Sequence, residues 1–209
     1  NMHFPEKKEN VKIAMYRLIF EELLFLQLGL FTVKGNNKVG KGIRFQRHKD
    51  MDKIEEKLPF KLTRAQQKAY DEIIEDMTSY RIMNRLVQGD VGSGKTVVAQ
   101  LALANCVLNG YQGAYMAPTE ILAKQHMESF KDFFEGTGIR VEVLTGSSTK
   151  KEAREILEDL ASGQVDILIG THALIEDRVE FASLGLVITD EQHRFGVNQR
   201  GRLTSKSEN

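Results

Sequence analysis

Several features that would settle a function class by themselves are missing from this chain or nearly so. Its 209 residues include one cysteine, Cys106, which excludes an internal disulfide and, within an apolar stretch, reads as a small core hydrophobe. Charge of either sign is not in excess: 29 Lys and Arg balance 29 Asp and Glu, so any nucleic-acid or membrane partner must be argued from local clusters. No apolar run approaches the length of a membrane span and the start lacks a signal-peptide pattern, so the expectation is a cytoplasmic protein with no membrane partner. His3, His48, His126, His172 and His193 are scattered, without H-E-x-x-H or Cys/His spacing, which disfavours zinc. No G-x-S-x-G turn announces a hydrolase nucleophile, and no internal repeat recurs at a fixed period. Acids are absent from Leu23 to Lys49, where Lys34, Lys38, Lys41, Arg44, Arg47 and Lys49 lie among Gly and Asn. That run reads as a flexible basic connector, more simply a solvated linker than a phosphate contact.

Against these absences stands Gly89-Asp90-Val91-Gly92-Ser93-Gly94-Lys95-Thr96, which fits the G-x-x-x-x-G-K-[ST] phosphate-binding pattern at every required position. Glycines let successive backbone N–H groups converge on phosphate oxygens, and the following helix contributes its positive end. Lys95 is expected to reach the β- and γ-phosphates and the Thr96 hydroxyl to ligate Mg²⁺. Arg85-Leu86-Val87-Gln88 reads as a strand before the loop and Val97 to Leu108 as a buried helix after it. A partner that holds metal and water is supplied by Leu184 to Glu191, an apolar strand ending in two carboxylates. Asp190 is expected to bind Mg²⁺ through water, and Glu191 to orient and polarise the water attacking the γ-phosphate.

The rest of the chain supplies the frame. Pro5 to Leu30 reads as a long helix, with Val11, Met15, Leu18, Ile19, Leu23 and Leu26 at helical spacing and Gly29 closing the pattern. Thr63 with Gln66, and Thr149 with Glu152, form two capping boxes. Strands are expected near 113–117, 140–144, 165–169 and 184–189, alternating with helices over 120–134 and 150–161. Such alternation means a mainly parallel sheet covered on both faces, with ligands at the carboxyl ends of the strands.

Four stretches go beyond generic spacing: the phosphate loop, Met116-Ala117-Pro118-Thr119-Glu120-Ile121-Leu122-Ala123, Gly170-Thr171-His172-Ala173-Leu174, and Asp190-Glu191-Gln192-His193-Arg194-Phe195-Gly196-Val197. Together they resemble the RecG family of bacterial ATP-dependent DNA helicases, in superfamily two, over about Leu58 to Leu203. Transcription-repair coupling motors usually carry Glu where this chain has Gln192, which favours the RecG family. The resemblance implies an α/β P-loop RecA-like domain over 58–209, the first motor domain, preceded over 1–57 by an N-terminal helix and basic linker to a wedge domain. It implies ATP and Mg²⁺ as cofactors, with branched or forked DNA, a second RecA-like domain and the wedge domain as partners, in replication-fork remodelling, recombination and repair. It further implies that Phe60, Thr63 and Gln66 recognise adenine. Pro118, Thr119, Gln125, Thr145, Gly146, Gly170, Thr171 and His172 fall in its DNA-facing motifs, and Gln192 and His193 couple nucleotide state to DNA grip. Thr119 is also a plain helix N-cap by position. Because the Ser-Ala-Thr motif and the arginine finger are not found in these residues, the chain is expected to be a fragment that binds ATP but hydrolyses it poorly alone. The competing reading is a stand-alone P-loop switch or small-molecule kinase with no nucleic-acid partner; a GTPase is disfavoured because no N-K-x-D follows the loop.

Overall fold

The computed structural model describes residues 8–36 and 42–190, in two compact units divided between Gly40 and Lys41. The first unit is represented by helix α1, Lys8–Asn36. It runs through Gly29 rather than ending there; a glycine inside a helix costs only about 1 kcal/mol against alanine, which the long flanking apolar turns absorb. Its large apolar side chains are not gathered on one side: Met15, Leu18, Ile19, Leu23 and Leu26 of the expected stripe are exposed, and so are Tyr16, Phe20 and Phe25. Arg17 and Glu21, one turn apart, form an exposed ion pair at 2.8 Å.

The second unit is built on a four-stranded, all-parallel sheet in the order β2-β3-β1-β4: β1 Gln112–Met116, β2 Val141–Leu144, β3 Ile167–Gly170 and β4 Leu184–Thr189. Side chains alternate across it. Tyr115, Val141, Ile167, Ile169 and Leu186 face a core shared with α3 (Arg64–Thr78), α4 (Lys95–Leu108) and α5 (Glu120–Phe134). Met116, Leu144 and Leu168 face the opposite core, under α6 (Lys150–Ala161) and the 3₁₀ turn His172–Ile175. The sheet is therefore covered on both faces, as continuous apolar strands require.

Helix α4 is buried nearly all round, which suits its almost unbroken apolar sequence VVAQLALANCVL. Its two buried amides tie neighbours to it: Gln100 Nε2 donates to Ser129 O at 3.2 Å, and Asn105 Oδ1 accepts from His48 N at 3.0 Å. Gln112, buried in β1, uses its whole amide, donating to Leu160 O and Val165 O and accepting from Ser183 N. Cys106 is fully buried, and burial pushes its thiol well above the ordinary range, in keeping with an inert core residue.

Two expectations are corrected here. Residues 42–49 are not a free linker. Phe45 is buried with its N–H donating to Met77 O, Arg44 donates to Tyr80 Oη at 2.8 Å and lies 4.6 Å over that ring, and Arg47 pairs with Asp52 and Glu55 of α2 (Met51–Glu56). The buried Phe45 supplies the apolar anchor that a count of cations hides. Lys49 remains exposed, while Lys38 and Lys41 lie outside the described residues. Residues 85–88 form no strand. Arg85 is instead drawn to α3 by ion pairs of 2.6 Å with both Glu72 and Asp76, and Leu86 is exposed. Among the described residues no helix is long and apolar enough to cross a membrane.

Candidate functional site

Parallel strands joined by helices send every helix N-terminus to the carboxyl edge of the sheet, and the candidate residues collect there. Helix α4 enters β1 through the short turn Asn109–Tyr111, so it runs antiparallel to the strand and its first residues, Lys95 and Thr96, point to that edge. Helix α5 starts beyond the end of β1, α6 beyond the end of β2, and the 3₁₀ turn beyond the end of β3.

The phosphate loop makes a tight turn, Ser93 N donating to Asp90 O at 3.1 Å. Gly92 and Gly94 both have φ +79°, a left-handed conformation that side chains resist, and Gly94 caps α4 in this geometry. A Cβ on Gly94 would strike Gln66 Nε2, whereas one on Gly92 would meet nothing; one on Gly89 would crowd Ser93 Oγ at 2.7 Å. Lys95 Nζ donates to Gly89 O at 2.7 Å and to Asp90 O at 2.9 Å, so the ammonium is folded into its own loop. Thr96 is half-buried in the first turn of α4.

Beside the loop stands the N-terminus of α3. Thr63 and Gln66 form the expected capping box: Gln66 Oε1 accepts from Thr63 N at 2.8 Å, and Thr63 Oγ1 accepts from Gln66 N at 3.3 Å. The other end of the Gln66 amide donates to Ser93 O at 2.8 Å, so one side chain joins the helix cap to the phosphate loop. Phe60 is half exposed ahead of them.

At the ends of the strands, Thr119 caps α5 by accepting from Leu122 N at 3.3 Å, with Pro118 half-buried before it and Gln125 exposed on the helix. Thr145 is buried, its hydroxyl 2.9 Å from that of Ser147, and Gly146 passes close to Glu120, where a Cβ would lie 2.8 Å from the carboxylate. Gly170 lies so close to Leu144 O that no side chain fits, and its carbonyl accepts from Ala117 N at 2.8 Å. Thr171 and the exposed His172 open the 3₁₀ turn.

Asp190 follows the last residue of β4, with its N–H donating to Met116 O at 2.8 Å. Its Oδ2 is 3.1 Å from His126 Nε2. His126, one of the scattered histidines, thereby joins the candidate site. A signal was present: it falls three residues after Ala123 and four before Phe130, on the buried side of α5, where an imidazole needs a polar partner. Glu191, Gln192 and His193 lie outside the described residues.

For a nucleotide and its cation the residues present are chemically suited. Hard oxygen donors, the Thr96 hydroxyl and the Asp190 carboxylate, belong to elements that end at one edge, and the Gly92 backbone is open to close approach. Among the described residues no cluster of three or more His, Cys, Asp or Glu forms an all-protein cage; magnesium at phosphate sites relies on one or two protein oxygens together with substrate phosphates.

Comparison with known proteins places these features in a wider set. The profile of the DEAD/DEAH box helicase family matches residues 63–207. The chain is 51% identical over 210 residues to the "ATP-dependent DNA helicase RecG" of Bacillus subtilis (strain 168), covering 99% of this chain and 31% of that protein. It is 48% identical over 206 residues to the protein of that name from Thermotoga maritima, covering 98% of this chain and 26% of the relative. A solved structure of RecG bound to a three-way DNA junction superposes with a TM-score of 0.85 at 46% identity, over 93% of this chain and 27% of that one. The UvsW helicase of bacteriophage T4, at 16% identity and TM-score 0.59 over 87% of this chain and 65% of that one, shares the fold alone. The chain thus spans less than a third of the length of these RecG relatives.

Proposed function

Since the chain belongs to the DEAD/DEAH box helicase family, we propose that it is the ATP- and Mg²⁺-binding first motor domain of an ATP-dependent DNA helicase that acts on branched DNA. The observation that carries this reading is the gathering at one sheet edge of the phosphate loop, Asp190 and the three strand-end loops. A kinase or switch would account for the first two but leaves the loops after β1, β2 and β3 without a task. High identity to RecG proteins, one of them solved on a three-way junction, supports forked DNA as the partner.

In this reading Lys95 exchanges its two loop carbonyls for phosphate oxygens, which turns an internal contact into a charge-assisted ligand contact. Gln66 holds the loop against the α3 cap and, with Phe60 and Thr63, offers its amide to the adenine edge. Mg²⁺ would be held by the Thr96 hydroxyl and, through water, by Asp190, and would supply charge neutralisation at the phosphates. Glu191 orients and polarises the attacking water. Pro118, Thr119, Gln125, Thr145, Gly146, Gly170, Thr171 and His172 grip the DNA backbone from helix N-termini and loop hydroxyls, and Gln192 and His193 relay nucleotide state to that grip. The whole protein would convert hydrolysis into movement on forks and recombination intermediates in the cytoplasm, with a second RecA-like domain and a wedge domain.

The deciding experiment is titration of the chain with a fluorescent forked DNA, with and without ATP and Mg²⁺, beside titration with ADP alone. Nucleotide binding with nucleotide-sensitive DNA affinity is the expected result. Nucleotide binding with no DNA affinity under either condition would favour the kinase or switch.

A further inference from the structure

Asp190 is held through both its main chain and its side chain. Its main chain is pinned to the end of β1 through Asp190 N and Met116 O, while its side chain meets His126 Nε2 at 3.1 Å. An ionised carboxylate can only accept, so in this contact Nε2 carries the proton and donates. The imidazole has little freedom to turn away. Its centroid lies 4.8 Å from the buried Tyr115 ring and 6.5 Å from that of Phe130, and the side chain is only 14% exposed. Ala123, Met127, Phe130 and Phe134, all buried, fix the helix that carries it. Thus three elements, β1, α5 and β4, determine where one carboxylate oxygen sits.

A carboxylate that holds a cation through one oxygen works best when its other partner is fixed, because rotation about the side-chain bonds otherwise dilutes the binding geometry. We infer that His126 is the positioning residue for Asp190, aiming its carboxylate for the cation from the same helix whose cap is Thr119. The inference rests on the proposed role of Asp190 as a metal-holding group. Its consequence is a mechanical link: a shift of α5, which begins at a candidate DNA-contacting residue, moves the donor that sets the carboxylate. A ring present only for packing would have no such consequence, and the two roles separate by chemistry. Phenylalanine keeps the tilted ring contact with Tyr115 and loses the donor; glutamine keeps an Nε2 donor and loses the ring.

The test is ADP affinity of the full 209-residue chain measured at stepped Mg²⁺ concentrations and again in EDTA. His126→Ala and His126→Phe should each raise the Mg²⁺ midpoint by about tenfold, within the range of 10 to 100 found for lost outer-shell partners. ADP affinity in EDTA should stay within twofold, and His126→Gln should recover most of the Mg²⁺ response. A wild-type midpoint in His126→Phe would show that packing suffices and overturn the inference; so would equal losses with and without Mg²⁺ in all three variants, which mark a general structural role. Asp190→Asn separates this inference from the reading beneath it. If Asp190→Asn leaves the Mg²⁺ response intact, the metal role of Asp190 itself falls; if it abolishes the response while the His126 variants do not, only the positioning role falls.

Discussion

At one edge of one sheet, two kinds of loop are held by different means. Those after β2 and β3 are locked by main chain and packing: Gly170 abuts Leu144 O and accepts from Ala117 N, and Thr145 is buried with Ser148 Oγ accepting from its N–H. The phosphate loop hangs instead on a few exchangeable bonds from Lys95 and Gln66, its Val91 tip is fully exposed, and residues 82–90, which lead into it, belong to no helix or strand. The contrast fits the tasks proposed for them. A surface that grips a polymer benefits from a preset shape, whereas a loop that must wrap a ligand has to surrender its internal hydrogen bonds at low cost.

The largest expected effect breaks that contrast on the exchangeable side. Lys95→Ala should lower affinity for ADP and Mg²⁺ by about 100-fold or more, since two charged hydrogen bonds to phosphate at roughly 1.5–3 kcal/mol each together make at least about 3 kcal/mol. Stability should change by less than about 1 kcal/mol, because the ammonium supports only exposed carbonyls. Calorimetric titration beside urea unfolding reads both, and a large loss of stability with intact affinity would reverse the assignment.

Next in size is a pair of glycines. Gly170→Ala pushes a methyl group into Leu144 O and the Leu174 side chain, and backbone cannot step aside, so a loss of about 2–3 kcal/mol is expected. Gly92→Ala, with φ +79° and open space around it, should cost only the left-handed penalty of about 1 kcal/mol, yet impair nucleotide binding more than Gly170→Ala does. Equal unfolding midpoints would mean the two loops are not held differently after all. Gln66→Ala is intermediate: it removes the capping-box return bond and the bridge to Ser93 O, for about 1–2 kcal/mol. An unaltered preference for ATP over GTP in that variant would leave Gln66 a cap and a strut rather than an adenine reader.

How much of this was legible in the sequence follows the same division. The mainly apolar stretches ending at Met116, Leu144, Gly170 and Thr189 place the four strands within one or two residues, because strands in a sheet covered on both faces tolerate few polar side chains. Both capping boxes form as their residues imply. What escaped were choices settled by partners on another element. Arg85 prefers two acids on α3 to a place in a strand; Arg44 and Arg47 find partners in Tyr80, Asp52 and Glu55; and His126 meets a carboxylate 64 residues away. Periodicity reports which face a residue occupies, not which polar group waits there. The short helix α2 and the 3₁₀ turn were missed for a plainer reason, since pieces so brief carry less than two turns of pattern.

The smallest expected effect is the most discriminating. Thr119 caps α5 through its hydroxyl, and position alone does not say whether it also meets a DNA phosphate. Replacing it by alanine is uninformative, because loss of a cap costs about 1 kcal/mol and weakens any function of that helix. Thr119→Asp separates the roles. Aspartate is at least as good a cap as threonine and its charge suits a helix N-terminus, so stability should hold within about 0.5 kcal/mol or rise. A carboxylate facing phosphate, however, exchanges a donor for like-charge repulsion, and forked-DNA affinity should fall by about tenfold at low salt, with the deficit shrinking as salt screens it. Nucleotide affinity should be unchanged, since Thr119 follows β1 and is not part of the phosphate loop. Unchanged DNA affinity in a stable Thr119→Asp chain would leave Thr119 as a cap alone and move the grip to other strand-end residues such as Gly146 and Thr171.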